Sequence, residues 1–184
     1  MEAIEMIKER RSVRTYKNEK VDRELMKEII DICRWSPSWA NFQIARYTIV
    51  DDEAMIQQIY EKGVNGFAYN MATLKNTKGV MVLSYVKGKS GKKDRESYAT
   101  KKVVEAWEMF DAGIACQTFC LAAHAKGVGT CIFGIIDDEA IADIISLPEG
   151  ETVAAIVTYG YEDGERPVAP KRKALEEVMR VAGE

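Results

Sequence analysis

The sequence has few of the residues that build metal sites and disulfide frameworks. It contains one histidine, His124, and four cysteines, Cys33, Cys116, Cys120 and Cys131. The cysteines lie far apart or at helical spacing, and no Cys-x-x-Cys pair occurs. A zinc site, an iron–sulfur cluster and a disulfide framework are therefore not expected. We expect all four cysteines to be reduced core residues.

Long apolar runs and common phosphate-binding motifs are also missing. No stretch approaches the roughly 20 apolar residues that a membrane-spanning helix needs, and the first residues carry acid where a secretory signal has its basic region. Neither a Gly-x-Gly-x-x-Gly motif nor a complete P-loop occurs, so nothing supports a Rossmann or P-loop nucleotide site. We expect a cytoplasmic protein without a membrane partner.

Charge is plentiful but of both signs, and the net charge of -3 gives no general reason to expect nucleic acid as a partner. Against this background, Arg10, Arg11 and Arg14 surround Ser12 in the stretch ERRSVRTYK. Three guanidiniums this close repel one another unless an anion joins them, and guanidinium forks match phosphate oxygens. A second basic group, Lys171–Lys173, could complete a phosphate pocket. The alternative interpretation is that both groups are solvated surface.

Hydrophobic periodicity predicts one globular domain, residues 1–184, in which helices and strands alternate. The first two predicted elements are helices, and Asp22 caps the second one. This order, two helices and then strands that alternate with helices, predicts an α+β or α/β sandwich. The later predicted elements are a strand at Arg46–Val50, a helix from Asp52, a strand at Gly79–Val86, a helix at about Tyr98–Lys126, a strand at Thr130–Gly134, a helix at Asp137–Ile145, a strand at Thr152–Gly160 and a last helix holding Leu175, Val178 and Met179.

Two of these elements and one loop have distinctive compositions. The apolar strand Gly79–Val86 should be central in its sheet and covered on both faces. The loop Lys87–Asp94, with four lysines, is predicted to be exposed and mobile, with an anion-binding patch as the alternative. The long helix ends at Gly127 and is apolar almost all round in its second half, which suits the centre of a domain or of a dimer. Asp111 there requires a partner.

The polar loop Ser36–Gln43, SPSWANFQ, is a second candidate site. Ser38, Asn41 and Gln43 could hydrogen-bond the edge of a heterocycle. Trp39 could stack on a ring. The alternative is a helix-to-strand connection with an aromatic plug.

The glycine-bounded strand at Thr130–Gly134 is a third candidate, because Phe133-Gly134 at its end would let a backbone N–H approach a ligand closely. His124 is interpreted as a helix residue with a satisfied hydrogen bond, since no nucleophile pattern accompanies it.

Taken in order, these motifs resemble the nitroreductase family of flavin enzymes over nearly the whole chain. RRSVRTYK resembles the family's Arg-Arg-Ser-x-Arg-x-Phe opening and SPSWANFQ its Ala/Ser-Pro-Ser-x-x-Asn-x-Gln loop. FDAGIACQTFCLAAHAKGVGTCIFG resembles its central helix and glycine-rich strand, and GYEDGERPVAPKRKALEEV its closing segment. The resemblance implies an α+β, nitroreductase-like three-layer fold, with a central mixed, mainly antiparallel sheet covered by helices. It also implies a homodimer with the long central helix at the interface.

The resemblance further implies FMN bound at the dimer interface, with NADH or NADPH as the electron donor. The cofactor-binding residues that it implies are Arg10, Arg11, Ser12, Arg14, Pro37, Ser38, Trp39, Asn41, Asn70, Phe133, Gly134, Ile135, Arg172 and Lys173. Arg10, Ser12 and Arg172 would hold the phosphate and ribityl end, with Arg14 near the N1 and O2 edge of the flavin. The loop at 37–41 would come from the other subunit, and the backbone after the third predicted strand would lie by N5.

The implied function is transfer of electrons from NAD(P)H through FMN to nitroaromatic, quinone or similar acceptors by a ping-pong mechanism. One alternative keeps the fold and the flavin but changes the reaction to flavin fragmentation, dehalogenation or dehydrogenation. Another is a non-enzymatic anion- or nucleotide-binding module. The sequence departs from the family pattern at Ile44-Ala45, where Pro-Trp is usual, and at Trp39, where a small residue is frequent. We expect Trp39 to narrow the acceptor pocket.

Overall fold

The computed structural model describes residues 2–93, 97, 99 and 106–183. Within these residues, none of the helices combines the length and the hydropathy required to cross a membrane. The elements are α1 (Ala3–Glu9), α2 (Arg23–Cys33), a 3-10 turn (Trp39–Asn41), β1 (Ala45–Val50), α3 (Glu53–Lys62), α4 (Ala68–Leu74), β2 (Gly79–Val86), α5 (Ala106–Ala125), β3 (Gly129–Phe133), α6 (Asp138–Ile144), β4 (Glu151–Gly160) and α7 (Leu175–Val178).

The four strands form one antiparallel sheet in the order β1-β2-β4-β3. The expected position of β2 is confirmed, because it lies inside the sheet and its side chains are buried on both faces. Met81, Leu83 and Tyr85 belong to one hydrophobic cluster. Val80 and Val82, which alternate with them, belong to the other. The continuous apolar run therefore reflects burial on both sides of a central strand.

Helices cover both faces of the sheet and give the three-layer α+β fold that the sequence predicts. On one face, α2 and α5 contribute buried side chains such as Met26, Ile29 and Phe119. On the other face, α3 and α6 contribute Ile59 and Ile141. The arrangement leaves β3 and β1 as the two edges of the sheet, and the candidate site is built along the β3 edge.

Aspartate caps fix the starts of three helices, and the predicted cap at Asp22 is confirmed. The side chain of Asp22 accepts a hydrogen bond of 2.7 Å from a backbone N–H in the first turn of α2. Asp52 and Asp137 do the same for α3 and α6, each at 2.9 Å. These bonds satisfy N–H groups that have no partner within the helix. At the other end of α5, Gly127 adopts a positive φ of 76°, as expected of a glycine after a helix.

The expectation of an exposed loop at Lys87–Asp94 is wrong at Ser90, which is fully buried. Its hydroxyl donates to the carboxylate of Asp111. The carbonyl of Lys92 accepts a hydrogen bond of 3.0 Å from Trp39 Nε1. The loop is therefore anchored by long-range contacts that its lysine-rich composition does not reveal, and its last residue lies outside the described residues.

The last predicted helix differs from the observed one, and α4 has no predicted counterpart. The described part of α5 runs from Ala106; its predicted start near Tyr98 stays a prediction, because residues 98 and 100–105 lie outside the described part of the chain. The last predicted helix is reduced to the single turn α7, and Met179 after it is extended, with φ -117° and ψ 139°. Leu175 and Val178 are more than half exposed, so this turn lacks the buried apolar face that stabilises longer helices.

Candidate functional site

The segment that carries the three arginines is fixed along β3. Ser12 forms an isolated parallel bridge with Thr130, and the N–H of Val13 donates to the carbonyl of Thr130 at 2.9 Å. Four residues after Ser12, Tyr16 forms an antiparallel bridge with Glu162, just beyond β4. The backbone of the segment is thus held at both ends by the sheet.

Close packing against two glycines adds to this attachment. A Cβ atom on Gly129 would lie 2.7 Å from Val13 Cγ2, and one on Gly160 would lie 2.9 Å from Tyr16 Cδ1. The hydroxyl of Tyr16 donates to the Val13 carbonyl at 2.7 Å and lies 2.9 Å from Thr158 Oγ1. Burial raises the pKa of Tyr16, so its hydroxyl stays protonated as a hydrogen-bond donor.

The three arginines differ in how many hydrogen bonds their guanidiniums donate within the protein. Arg11 Nη1 donates to the carbonyl of Lys8 at 2.6 Å, which satisfies the C-terminal end of α1. Arg14 is exposed and makes one long bond, 3.3 Å, to the carbonyl of Ser12. The half-buried Arg10 guanidinium donates no hydrogen bond to any described residue. Arg10 and Arg14 therefore keep most of their donors available for an anion.

A cavity of about 260 Å³ lies beside this segment. Its charged lining consists of Arg10, Arg11, His124, Glu162 and Arg166. Glu162 Oε1 is buried and has no hydrogen-bond partner in the described part of the chain. Burial, and next the charge of Arg166, lower the pKa of His124. The imidazole is consequently neutral near pH 7 and can accept a hydrogen bond.

The second basic group is not joined to the arginine segment. Arg172 Nη1 donates to the carbonyl of Pro170 at 2.8 Å, within its own segment. Within the described ranges, no hydrogen bond or ion pair connects Arg172 or Lys173 with Arg10 or Ser12. The contacts between the C-terminal segment and the arginine segment that the described residues show lie nearer to β4: they are backbone pairing and a hydrogen bond from the Arg166 side chain to the carbonyl of Glu9.

The loop between α2 and β1 has an unusual backbone. Ala40, Asn41 and Gln43 all have positive φ, at 45°, 56° and 50°. Left-handed geometry is costly for residues other than glycine, and such strain is concentrated at functional sites. The hydroxyl of Ser38 accepts from the N–H of Gln43 at 2.9 Å and closes the loop. Within the described residues, Pro37, Ser38 and Asn41 form no hydrogen bond with the arginine segment.

Trp39 in this loop is held by several contacts. Its N–H donates to both carboxylate oxygens of the buried Asp111, at 3.0 and 3.1 Å. Its Nε1 donates to Lys92, as described above, and its ring meets Trp107 edge-on at a centroid distance of 4.6 Å. Trp107 in turn meets Phe110 at 5.2 Å. Trp39 is therefore part of an aromatic cluster, Trp39–Trp107–Phe110, with a fixed orientation.

The end of β3 provides the remaining predicted contacts. Phe133 is buried, at 2% exposure, so its side chain belongs to the core and its backbone is what a ligand can approach. Gly134 and Ile135 follow at the surface. Asn70 on α4 is buried and donates from Nδ2 to the carbonyl of Ile135 at 3.1 Å. The structure therefore brings together Asn70 and Ile135, two predicted cofactor-binding residues that lie 65 positions apart in the chain.

The cysteines are buried core residues, as predicted. All four are free and buried. Burial raises the pKa of Cys33 to about 12, so its thiol is protonated and unreactive at neutral pH.

Sequence reasoning missed the partners of Asp111 and the grouping of His124, Glu162 and Arg166. Asp111 was recognisable as a buried charge that needs donors, but both donors come from distant loops. Arg166 lies in a polar stretch and 42 positions from His124, and no local pattern joins them.

A model of the nitroreductase family matches residues 7–161 of this chain. The chain belongs to the nitroreductase family. This match covers the arginine segment, the strained loop and the end of β3, and it makes the protein an oxidoreductase.

Matches to individual proteins agree with the match to the family. A protein of Methanothermobacter thermautotrophicus, provisionally named an NADH dehydrogenase/NAD(P)H nitroreductase, is 27% identical over 88% of this chain and 78% of its own length. The 4-nitrobenzoate reductase of a Nocardioides species is 23% identical over 95% of this chain and 86% of its own. The solved structure of an FMN-dependent nitroreductase of Clostridium difficile matches this chain with a TM-score of 0.74 and 23% identity, and the match covers 98% of this chain and 99% of the other. The solved structure shows the shared fold.

Proposed function

We propose that this protein is an FMN-dependent reductase that transfers electrons from NADH or NADPH to nitroaromatic, quinone or similar acceptors. Donor and acceptor would use the same site in turn, in a ping-pong mechanism. The observation that carries the proposal is Arg10, whose half-buried guanidinium has unused donors beside Ser12, in the segment where the family resemblance calls for the FMN phosphate.

The residues of the proposed site fit FMN. Arg10 and Ser12 would bind the phosphate, and Arg14 would place positive charge near the N1 and O2 edge of the ring, where it favours a reduced, anionic flavin. The Gly134-Ile135 backbone, fixed by Asn70, would face N5. Pro37, Ser38, Trp39 and Asn41 would cover the ring, and Arg172 and Lys173 would close over the phosphate end. When bound, FMN supplies the two-electron chemistry, and no metal or further catalytic side chain is required.

A homodimer with the site at its interface is part of the proposal. Met109 and Phe110 on α5 are 47% and 58% exposed, and Ile4 and Ile7 on α1 are 67% and 58% exposed. Apolar residues grouped on exposed helix faces mark association surfaces. A second copy of the chain would cover these residues and bring the strained loop to the other subunit's flavin. A cytoplasmic location suits the four free thiols.

The decisive experiment is a visible absorption spectrum of the purified protein after FMN is added and the excess removed. We expect a retained flavin spectrum that NADH or NADPH bleaches without oxygen, and that a nitroaromatic or quinone restores. A flavin that bleaches but is fragmented when oxygen is admitted would favour the flavin-destroying alternative. A colourless protein would contradict the proposal.

The arginine assignment has its own test. Arg10→Ala together with Arg14→Ala should weaken FMN binding by roughly a hundredfold, because two charge-assisted contacts are lost. The fold should persist, since neither side chain is in the core. Isothermal titration of FMN measures the affinity, and urea unfolding measures the stability. The matched control, Lys27→Ala with Lys62→Ala, removes two positive charges on α2 and α3 and should leave FMN affinity unchanged. Equal affinities in all three proteins would refute the cluster.

A further inference from the structure

The C-terminal segment leaves the sheet alongside the arginine segment. The N–H of Lys17 donates to the carbonyl of Tyr161 at 2.9 Å, and the N–H of Asp163 donates to the carbonyl of Thr15 at 3.1 Å. Further along, the Arg166 side chain crosses to the end of α1. The first part of the C-terminal segment is therefore paired, residue by residue, with the chain that follows the arginines.

Arg166 makes the outermost of these connections through its side chain. Its Nη2 donates to the carbonyl of Glu9 at 2.8 Å and lies 3.2 Å from His124 Nε2. Glu9 is the last residue of α1, where carbonyls have no partner within the helix and where a positive charge is favourable. It also directly precedes Arg10, so the contact joins the C-terminal segment to the phosphate-binding part of the arginine segment.

We propose that Arg166 is a positioning residue that fixes the C-terminal segment against α1 and so delivers Arg172 and Lys173 to the phosphate end of the cofactor. The inference rests on the proposed FMN function. Arg172 follows Arg166 by six positions, and six extended residues reach at most about 20 Å. Anchoring Arg166 beside Arg10 keeps Arg172 within about 20 Å of Glu9, whereas the nine residues from the Asp163 pairing alone would allow about 30 Å. The shorter tether raises the effective concentration of Arg172 at the phosphate site.

Riboflavin separates this role from general damage to the site, because it has the flavin ring but no phosphate. Arg166→Ala should weaken FMN binding roughly tenfold, the scale of one lost charge-assisted interaction, and leave riboflavin binding unchanged. Arg166→Lys should retain part of the FMN affinity, since lysine can donate to Glu9 but lacks the guanidinium fork. The control Arg180→Ala, which removes an exposed arginine from the same segment, should change neither affinity. Equal losses for FMN and riboflavin would overturn the proposal.

A double-mutant cycle tests whether Arg166 acts through Arg172. If it does, Arg166→Ala should cost much less FMN affinity in an Arg172→Ala background than in the wild-type protein. The same fold-loss in both backgrounds would show that Arg166 acts without Arg172, and the proposal would fall.

The contact itself can be observed without any cofactor, because His124 is the only histidine in the chain and gives one imidazole NMR signal. The charged groups facing it are Arg166, Arg10, Glu9 and Glu162. Arg166→Ala should raise the pKa of His124, since a neighbouring positive charge is removed. An unchanged pKa would contradict the contact and overturn the proposal. A wild-type protein that binds riboflavin as tightly as FMN would instead contradict the phosphate site of the proposed function, while the His124 titration still reported on Arg166.

Discussion

Trp39 is the residue that we expect to set the shape of the proposed site without taking part in the chemistry. Two hydrogen bonds to Asp111, one to Lys92 and an edge-on contact with Trp107 fix both its backbone and its ring. A ring held in this way cannot turn aside when a bulky molecule enters. In the proposed dimer, Trp39 would therefore restrict the height or width of the acceptor pocket.

Trp39→Ala should accordingly change which acceptors are reduced. We expect the ratio of kcat/KM for a bulky naphthoquinone to that for a small nitrobenzoate to rise roughly tenfold, a scale typical of a pocket enlarged by a few atoms. Steady-state assays with both acceptors measure the ratio, and FMN affinity is determined in parallel. Trp35→Ala, at a residue that is 86% exposed, is the matched control and should leave the ratio as it is. An unaltered ratio in Trp39→Ala would remove Trp39 from the pocket.

At the scale of elements, the position of the arginine segment depends on its fit against β3 and β4. Val13 enters the space left by the missing side chain of Gly129, and Tyr16 does the same at Gly160. The segment has no helical or strand ladder of its own beyond isolated bridges. Its placement therefore depends on packing as well as on a few backbone hydrogen bonds to the sheet, and a single added methyl group on the sheet should displace it.

Gly129→Ala should lower the free energy of unfolding by about 1–3 kcal/mol, because the new methyl would lie 2.7 Å from Val13 Cγ2 and overpack a closed interface. Combining it with Val13→Ala makes room for the methyl. The double variant should thus be more stable than the sum of the two single losses implies, with a coupling of about 0.5 kcal/mol or more in urea unfolding. Strictly additive losses would mean that the contact does not limit this packing.

Elements also show which structural features a single sequence can predict. The bounds of β2 followed from a continuous apolar run, and the starts of α2 and α3 from Asp22 and Asp52, since these signals are local. The anchored Ser90 loop was not predictable, because its partner Asp111 lies on another element. Helix α4 was missed because two of its three buried residues, Asn70 and Thr73, are polar and only Leu74 is apolar, so no apolar stripe marks its buried face.

The residues of the candidate site also fall into two groups: those that a local sequence motif predicts and those that only the folded structure brings together. Arg10, Ser12 and Arg14 are recognisable because they lie close together in a motif. The contact between Asn70 and Ile135 was not predicted, although the family resemblance implies a cofactor-binding role for each of the two residues. Their roles at FMN remain predictions. The link from Arg166 to Glu9 spans 157 positions in the chain, so only the folded structure brings the two together. Local sequence patterns do not predict contacts of this kind, because the contacts depend on the topology of the fold and join residues that are far apart in the chain.

At the scale of the whole molecule, helix α5 explains why a second copy of the chain is expected. The helix buries one side against the sheet and α2, yet it is apolar almost all round and leaves Met109 and Phe110 exposed. A single copy gains nothing from apolar side chains on the outer face. The same outer face carries the aromatic cluster that holds Trp39, so subunit association and the shape of the proposed site share residues.

Phe110→Lys should therefore dissociate the dimer and release FMN together. A charge buried in an apolar interface is desolvated without a partner, and this cost weakens association. Sedimentation velocity should show a wild-type protein near twice the 20.7 kDa chain mass and a variant at that mass, and equilibrium dialysis should show the loss of FMN. Gln58→Lys adds the same charge on the exposed side of α3 and should leave both properties intact. A Phe110→Lys variant that stays dimeric would exclude this face of α5 from the interface, whereas one that is monomeric but binds FMN at wild-type affinity would place the whole flavin site within one subunit.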